Sequence, residues 1–413
     1  MTSLGAQVRA KLDHPLIDGD SHIVEYMPVF LDFLKNAGGQ GVVEQFTGAN
    51  RGETWYAMSA EERRSRRPMR GPWWPLPTKN TLDRCTSMLP KLYYERMGDF
   101  GLDFIVLYTT GGFGFISSHK DDFRQAGCYA YNEYVAASYG EYADRMTPAA
   151  MIPMHTPEEA IAELEHAKAL GLKVALIPSY VRRPIAEPGA AALAFAGGGP
   201  TNPTWLDSYG LDSEHDYDPF WARCVELGFP IAAHSAGLGF DDRRSMNYMY
   251  NHMGHFGAAG EVLAKALLMG GVTRRFPKLR VALLEGGAQD GVRLYVDIFS
   301  RWKKRGPAGL ENLNPANLDL AEARNLFERY GDERTQAKLD ALDANLIGGV
   351  GQSEIPPELR DDFALMGIES DEDLRDLFIP HFYYGCEADD PMACIAFDCK
   401  INPLGAQVRA IMS

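Results

Sequence analysis

The sequence predicts an α/β fold, a (β/α)8 TIM-type barrel with mouth-covering insertions and with its eighth strand missing at the C-terminus. Three observations point to it. Short apolar, strand-like runs alternate with longer amphipathic, helix-like runs, which is the pattern of parallel βα units. Polar, chemistry-bearing residues recur where those apolar runs end, and in such a barrel the strand ends converge on one face. No G-x-G-x-x-G or P-loop pattern follows the first strand, which weakens a nucleotide-binding version of the alternative, a doubly wound open sheet.

Seven candidate strands occur in order, near 16–20, 103–109, 148–153, 173–178, 229–234, 279–285 and 382–387. The first, in PLIDGDSHIVE, is apolar at its start and places Asp18, Asp20 and His22 at alternate positions, so an unbroken strand aims all three one way. MLPKLYYERMGDFG reads as a helix before DFIVLYTT, and FRQAGCYAYNEYVAASYGEYADRM as a long amphipathic helix before TPAAMIPM. TPEEAIAELEHAKALG has an N-cap at Thr156, acids in its first turn and a closing glycine. KVALIPSY, DPFWARCVELG, FPIAAHSAG, EVLAKALLMGGVTRRFP, LRVALLEGG and FIPHFYYGCEADD continue the alternation.

The 413 residues read as one domain, 1–413, because barrels of this kind exceed the rough prior of about 150 residues per domain. Two insertions, about 38–100 and 184–216, come after strands and belong over the mouth. The first contains RRSRRPMR, either a solvated or oligomer-contact surface or a clamp for a substrate carboxylate, since guanidinium forks fit carboxylates. A net charge of −15 argues against a nucleic-acid partner. Six cysteines without a C-x-x-C pair suit a reducing compartment. With no apolar signal core at the N-terminus and no run of about 18 apolar residues, no membrane partner and a cytoplasmic location are expected.

Asp20 and His22 after the first strand, His234 at the end of the fifth and Glu285 at the end of the sixth form a reasonable divalent-metal set. Singly each is weak: a lone His234 is commonly a hydrogen-bonded core residue, and Glu285 before Gly-Gly could cap a helix. Their joint placement at strand ends is the signal. Carboxylates in the set favour Zn2+ or Mn2+ over a soft metal. His252 and His255, near the head of the next helix, are candidate acids, or a pair packing on the rim. Asp18 and Glu25 read as structural partners.

LDHPLIDGDSHIVE, FPIAAHSAG, GGVTRRFPKLRVALLEGGA and NHMGHFGAAGEVLAKALL together resemble amidohydrolase family 2, the group related to 2-amino-3-carboxymuconate 6-semialdehyde decarboxylase. The resemblance runs from about residue 12 onward. It implies a metal-dependent barrel that performs hydrolysis or non-oxidative decarboxylation (carboxy-lyase chemistry), a homodimer, and a small, aromatic or unsaturated carboxylate substrate. The family's first-strand H-x-H stands here as Asp20-Ser21-His22. His234 matches the fifth-strand histidine, and Glu285 lies where many members carry histidine and others glutamate. His234, Glu285, His252 and His255 are then the candidate catalytic residues, with Asp20, His22, His234 and Glu285 on the metal. The family's aspartate after strand eight is not found: AQVRAIMS resembles the approach to that strand, and Ser413 would stand just before it. That departure keeps open the alternative of a non-catalytic or C-terminally truncated barrel that binds metal or ligand without turnover. LGAQVRA also occurs twice, at 4–10 and 404–410, which no repeat architecture accounts for.

Overall fold

A computed structural model describes residues 2–49, 55–71, 79–186, 204–234, 245–347 and 356–413. The tracts 50–54 and 72–78 of the first insertion, 187–203 of the second, and Ser235 to Gly237 of FPIAAHSAG lie outside the described residues. Four strands come first: β1 (Ile17–His22), β2 (Phe104–Tyr108), β3 (Met146–Met151) and β4 (Val174–Ile177). A hairpin of β5 (Val181–Pro184) and β6 (Thr204–Asp207) stands apart as a two-stranded antiparallel sheet. Then come β7 (Ile231–Ala233), β8 (Val281–Leu283), β9 (Phe382–Cys386) and β10 (Arg409–Met412). The main sheet has eight parallel strands in the order β1-β2-β3-β4-β7-β8-β9-β10.

The barrel class is as the sequence predicts, but the missing eighth strand is corrected. The segment read as the approach to strand eight is itself β10, laddered to β9 from Arg409↔Tyr383 to Met412↔Cys386. Ser413 N–H donates to the Cys386 carbonyl at 3.1 Å, extending that ladder. β10 also closes on β1. Ser413 Oγ donates to the Asp20 carbonyl at 3.2 Å, and the Ile411 side chain fills the space beside Gly19, where a Cβ would meet Ile411 Cγ2 at 2.2 Å. The barrel is nearly closed, with β10 beside β1.

Helices cover the strands where the periodicity predicts. Pro157–Ala169 begins with a capping box, the Thr156 side chain and Glu159 each satisfying the other's backbone N–H. Asp121–Tyr139 packs its apolar face inward through Phe123, Cys128, Tyr131 and Val135. The strands contribute Ile105, Leu107, Ala149, Met151, Ala175 and Ile177 to the core, all fully buried. These strands are buried on both faces, so they read as continuous apolar runs rather than as alternations. Among the described residues no helix is long and apolar enough to cross a membrane.

Candidate metal centre

All four predicted donors meet at one point. Asp20 and His22 lie in β1, His234 follows β7 by one residue, and Glu285 follows β8 by two. One ligand atom from each lies within 4.8 Å of all the others. His22 Nε2 is 2.9 Å from His234 Nε2 and 3.3 Å from Glu285 Oε1. His234 Nε2 is 3.2 Å from Glu285 Oε1 and 4.0 Å from Asp20 Oδ1.

The local backbone explains how β1 contributes two donors and discards a third. The β1–β2 register shifts between Asp18 and Ser21. Across that irregularity Asp18 folds back on its own strand, accepting from Asp20 N–H at 2.9 Å and Ser21 Oγ at 2.6 Å. A bulge breaks the alternation and re-aims the side chains beyond it. Asp18 is thereby a structural partner, as expected, while Asp20 and His22 turn to the centre. Glu285 is aimed by strain. Its φ of 56° lies in the left-handed region, which costs a non-glycine residue roughly 1–2 kcal/mol. Neighbouring bonds hold it there: Leu284 N–H to the Ala233 carbonyl at 3.1 Å and Gly287 N–H to the Gly385 carbonyl at 2.8 Å. Gly385 permits the approach, since a Cβ there would lie 2.8 Å from Glu285 N.

Charge is arranged for a cation. Asp20 is 4% exposed, and neither of its oxygens has a hydrogen-bond partner among the described residues. Burial, and then the Glu285 charge, push its carboxyl well above the usual carboxylate range. Burial opposes charging of His22, yet the bond to Glu285 and the Asp20 charge outweigh it and raise its pKa. Burial pushes His234 down. Burial also opposes the charge on Glu285, but its bonds with His22 and His234 hold it far below the usual range. His22 Nδ1 lies 3.1 Å from the Thr109 carbonyl. That bond requires a proton on Nδ1 and, in the neutral ring, leaves the Nε2 lone pair facing the centre. This nitrogen and oxygen donor set fits a divalent ion.

His252 and His255 do not join the four. Each packs on the Phe256 ring, with centroids 5.0 Å apart in both cases, and Phe256 in turn lies 5.3 Å from the His234 ring. Phe113, missed by sequence reasoning, flanks His234 at 5.0 Å. It sits four residues past Thr109, and the TTGG run before it is the signal that marks the turn. In the arginine run, Arg63 and Arg70 lie 4.5 and 5.9 Å from the Trp55 ring. Arg70 N–H reaches the Met246 carbonyl at 3.4 Å, next to the helix that carries His252.

Fold and site together define a parallel β/α barrel with nitrogen and oxygen donors converged at its strand ends. The chain belongs to the amidohydrolase family: the family model described as Amidohydrolase matches residues 88–334, more than half of the chain. Curated proteins yield no match. Among solved structures the chain is similar to an amidohydrolase from Mycobacterium avium subsp. paratuberculosis K-10, at 18% identity over 70% of this chain and 76% of that one, TM-score 0.43. It is similar to a dihydroxybenzoic acid decarboxylase from Polaromonas sp. JS666, solved with manganese and 2-nitroresorcinol, at 16% identity over 88% and 94%, TM-score 0.43. It is also similar to 5-carboxyvanillate decarboxylase from Sphingomonas paucimobilis, at 12% identity over 96% and 88%, TM-score 0.44.

Proposed function

We propose that this chain is a metal-dependent hydrolase or non-oxidative decarboxylase acting on a small aromatic or unsaturated carboxylic acid. Asp20, His22, His234 and Glu285 would hold the ion, Zn2+ or Mn2+. The observation that carries this reading is the enclosed Asp20 carboxylate, both oxygens without a hydrogen-bond partner among the described residues, facing two imidazoles and a second carboxylate. An uncompensated buried charge costs several kcal/mol, which a cation at the centre removes. When bound, the ion supplies Lewis acidity toward a substrate oxygen and a lowered pKa for water.

The chain's own residues do the rest. Phe113 and Phe256, both partly exposed, flank His234 and offer an apolar wall to a flat unsaturated ring. Thr109 fixes the His22 proton on Nδ1 and so orients that ring. Glu285, held ionised by its bonds with His22 and His234, would keep a negative charge at the centre for the ion. In decarboxylation a proton must be delivered to the carbon that loses CO2, and His252 and His255, one ring behind His234, are the groups stationed to supply it. A cytoplasmic homodimer, with residues 38–100 at its contact, belongs to the same reading and is checked by sedimentation of the purified protein.

The test is turnover of the Zn2+- or Mn2+-reconstituted protein on a panel of aromatic and unsaturated carboxylates and lactones, monitoring CO2 and ring opening separately. Metal-dependent turnover on either arm supports the enzyme and separates its two chemistries. One ion per chain with no turnover on the whole panel replaces it with a metal-binding barrel.

A further inference from the structure

Glu25 lies three residues beyond His22, outside the four-donor cluster, yet it is 3% exposed and carries a carboxylate. Its oxygens gather the turn that succeeds β2. Thr109 Oγ1 donates to Oε1, Thr110 N–H donates to Oε1 at 3.2 Å, and Gly111 N–H donates to Oε2 at 2.8 Å. Thr109 Oγ1, its own proton committed to Glu25, accepts from Gly112 N–H at 2.7 Å. The turn is wrapped so closely that a Cβ on Gly111 would lie 2.9 Å from Glu25 Oε2, and one on Gly112 would lie 2.5 Å from Thr109 Oγ1. This is why TTGG, and not a bulkier sequence, occupies 109–112.

Two parts of the site hang from that turn. The Thr109 carbonyl is the group that faces His22 Nδ1 at 3.1 Å. Phe113, the residue after Gly112, stands against the His234 ring at 5.0 Å. We propose that Glu25 is a positioning residue: by holding Thr109, Thr110 and Gly111 it directs the Thr109 carbonyl at His22 Nδ1, fixes the tautomer that presents Nε2 to the centre, and sets Phe113 on His234. It touches neither ion nor substrate. This role rests on the proposed metal site for its consequence, but its geometry stands without the ion.

The physical logic is that of an outer partner. A ligand histidine is a good ligand only if its second nitrogen is satisfied, and loss of that orientation costs metal affinity about 10–100-fold. A glutamine at position 25 keeps the volume but replaces one acceptor oxygen with an N–H2 group, which then faces a backbone donor. At least one of the three bonds is lost, which loosens the turn that carries the Thr109 carbonyl.

The experiment compares wild type with Glu25→Gln, and with Glu25→Ala as the larger perturbation, by nitrogen NMR of the imidazoles in the metal-free protein at a pH where His22 is neutral. Metal affinity is read in parallel by chelator competition. The expected result is a His22 Nδ1–H signal in wild type that is lost or exchanged for the other tautomer in E25Q, with affinity for Zn2+ about 10–100-fold weaker and an intact far-UV spectrum. An unchanged His22 tautomer in folded E25Q overturns the proposal. Absence of metal uptake by wild type would defeat the proposed function and leave the tautomer comparison to decide the role of Glu25. A merely structural clamp lowers stability without moving the His22 signal, and that outcome also overturns it.

Discussion

His22 Nε2 and His234 Nε2 lie 2.9 Å apart, although His22 ends β1 and His234 directly follows β7, four places along in the strand order. Two imidazole nitrogens brought so close, with two carboxylates beside them, make a donor set that neither strand could assemble alone.

Removing both imidazoles should abolish the site. In the double variant His22→Ala, His234→Ala, elemental analysis after dialysis against Zn2+ or Mn2+ is expected to find no stoichiometric ion, with each single variant weaker than wild type by more than about 100-fold. Full metal content in the double variant would falsify the shared site.

Asp20 should trade stability for binding. Its enclosed carboxylate, without a hydrogen-bond partner among the described residues, is a liability in the metal-free protein, and the neutral amide of Asp20→Asn costs less to bury. Metal-free D20N is expected to be more stable than wild type at neutral pH, by on the order of 1 kcal/mol, while binding the ion far more weakly. Denaturant titrations with and without Zn2+ read both, and a D20N protein that is less stable metal-free and equally metal-responsive would contradict the burial argument.

Two histidines away from the centre should bend the pH dependence of stability in opposite directions. Burial, then the Arg124 charge, push His155 down to about 4. Between about 4 and its unfolded value of 6.5 the unfolded chain binds the proton and the folded one does not, so stability falls as pH falls through that window. His166 is raised, first by its bond with Glu163, which outweighs burial, and with help from its bond to Glu133. Its contribution is fully present below 6.5 and is lost as pH rises through the folded value. Denaturation at several pH values should therefore show a flatter acid limb in His155→Gln and a flatter limb above 6.5 in His166→Gln. Identical curves for all three proteins would exclude both effects.

Barrel closure depends on Gly19 and Ile411. A methyl on residue 19 would overlap Ile411 Cγ2, and overpacking of this kind costs about 1–3 kcal/mol. Gly19→Ala should destabilise the protein by that amount, and Ile411→Ala in the same chain should recover part of it. A double variant whose loss equals the sum of the two single losses would show that the seam is not where β10 meets β1.

The site was legible because its residues sit where apolar runs end. Asp20, His22, His234 and Glu285 each come after such a run, and a barrel has only one face on which parallel strand ends can converge. Thr156 with Glu159 was equally plain, since a capping box is local. Less legible were the bulge that turns Asp18 away from Asp20, and the Glu25-held turn that places Phe113, because each needs a partner strand or a residue more than eighty positions away.

LGAQVRA divides the two kinds of information. At 4–10 it supplies the helix Leu4–Arg9, with Leu4 and Val8 exposed and Arg9 paired with Asp103 at 2.5 Å. At 404–410 the same residues leave a short 3-10 turn and enter β10, with Val408 buried and Arg409 over the Tyr383 ring. By itself the sequence determined the βα alternation and the donors at the strand ends, because periodicity and residue chemistry are local. Tertiary structure decided which copy of LGAQVRA became a strand, because β9 offers unpaired backbone groups to one copy, whereas the other can satisfy its own only by coiling.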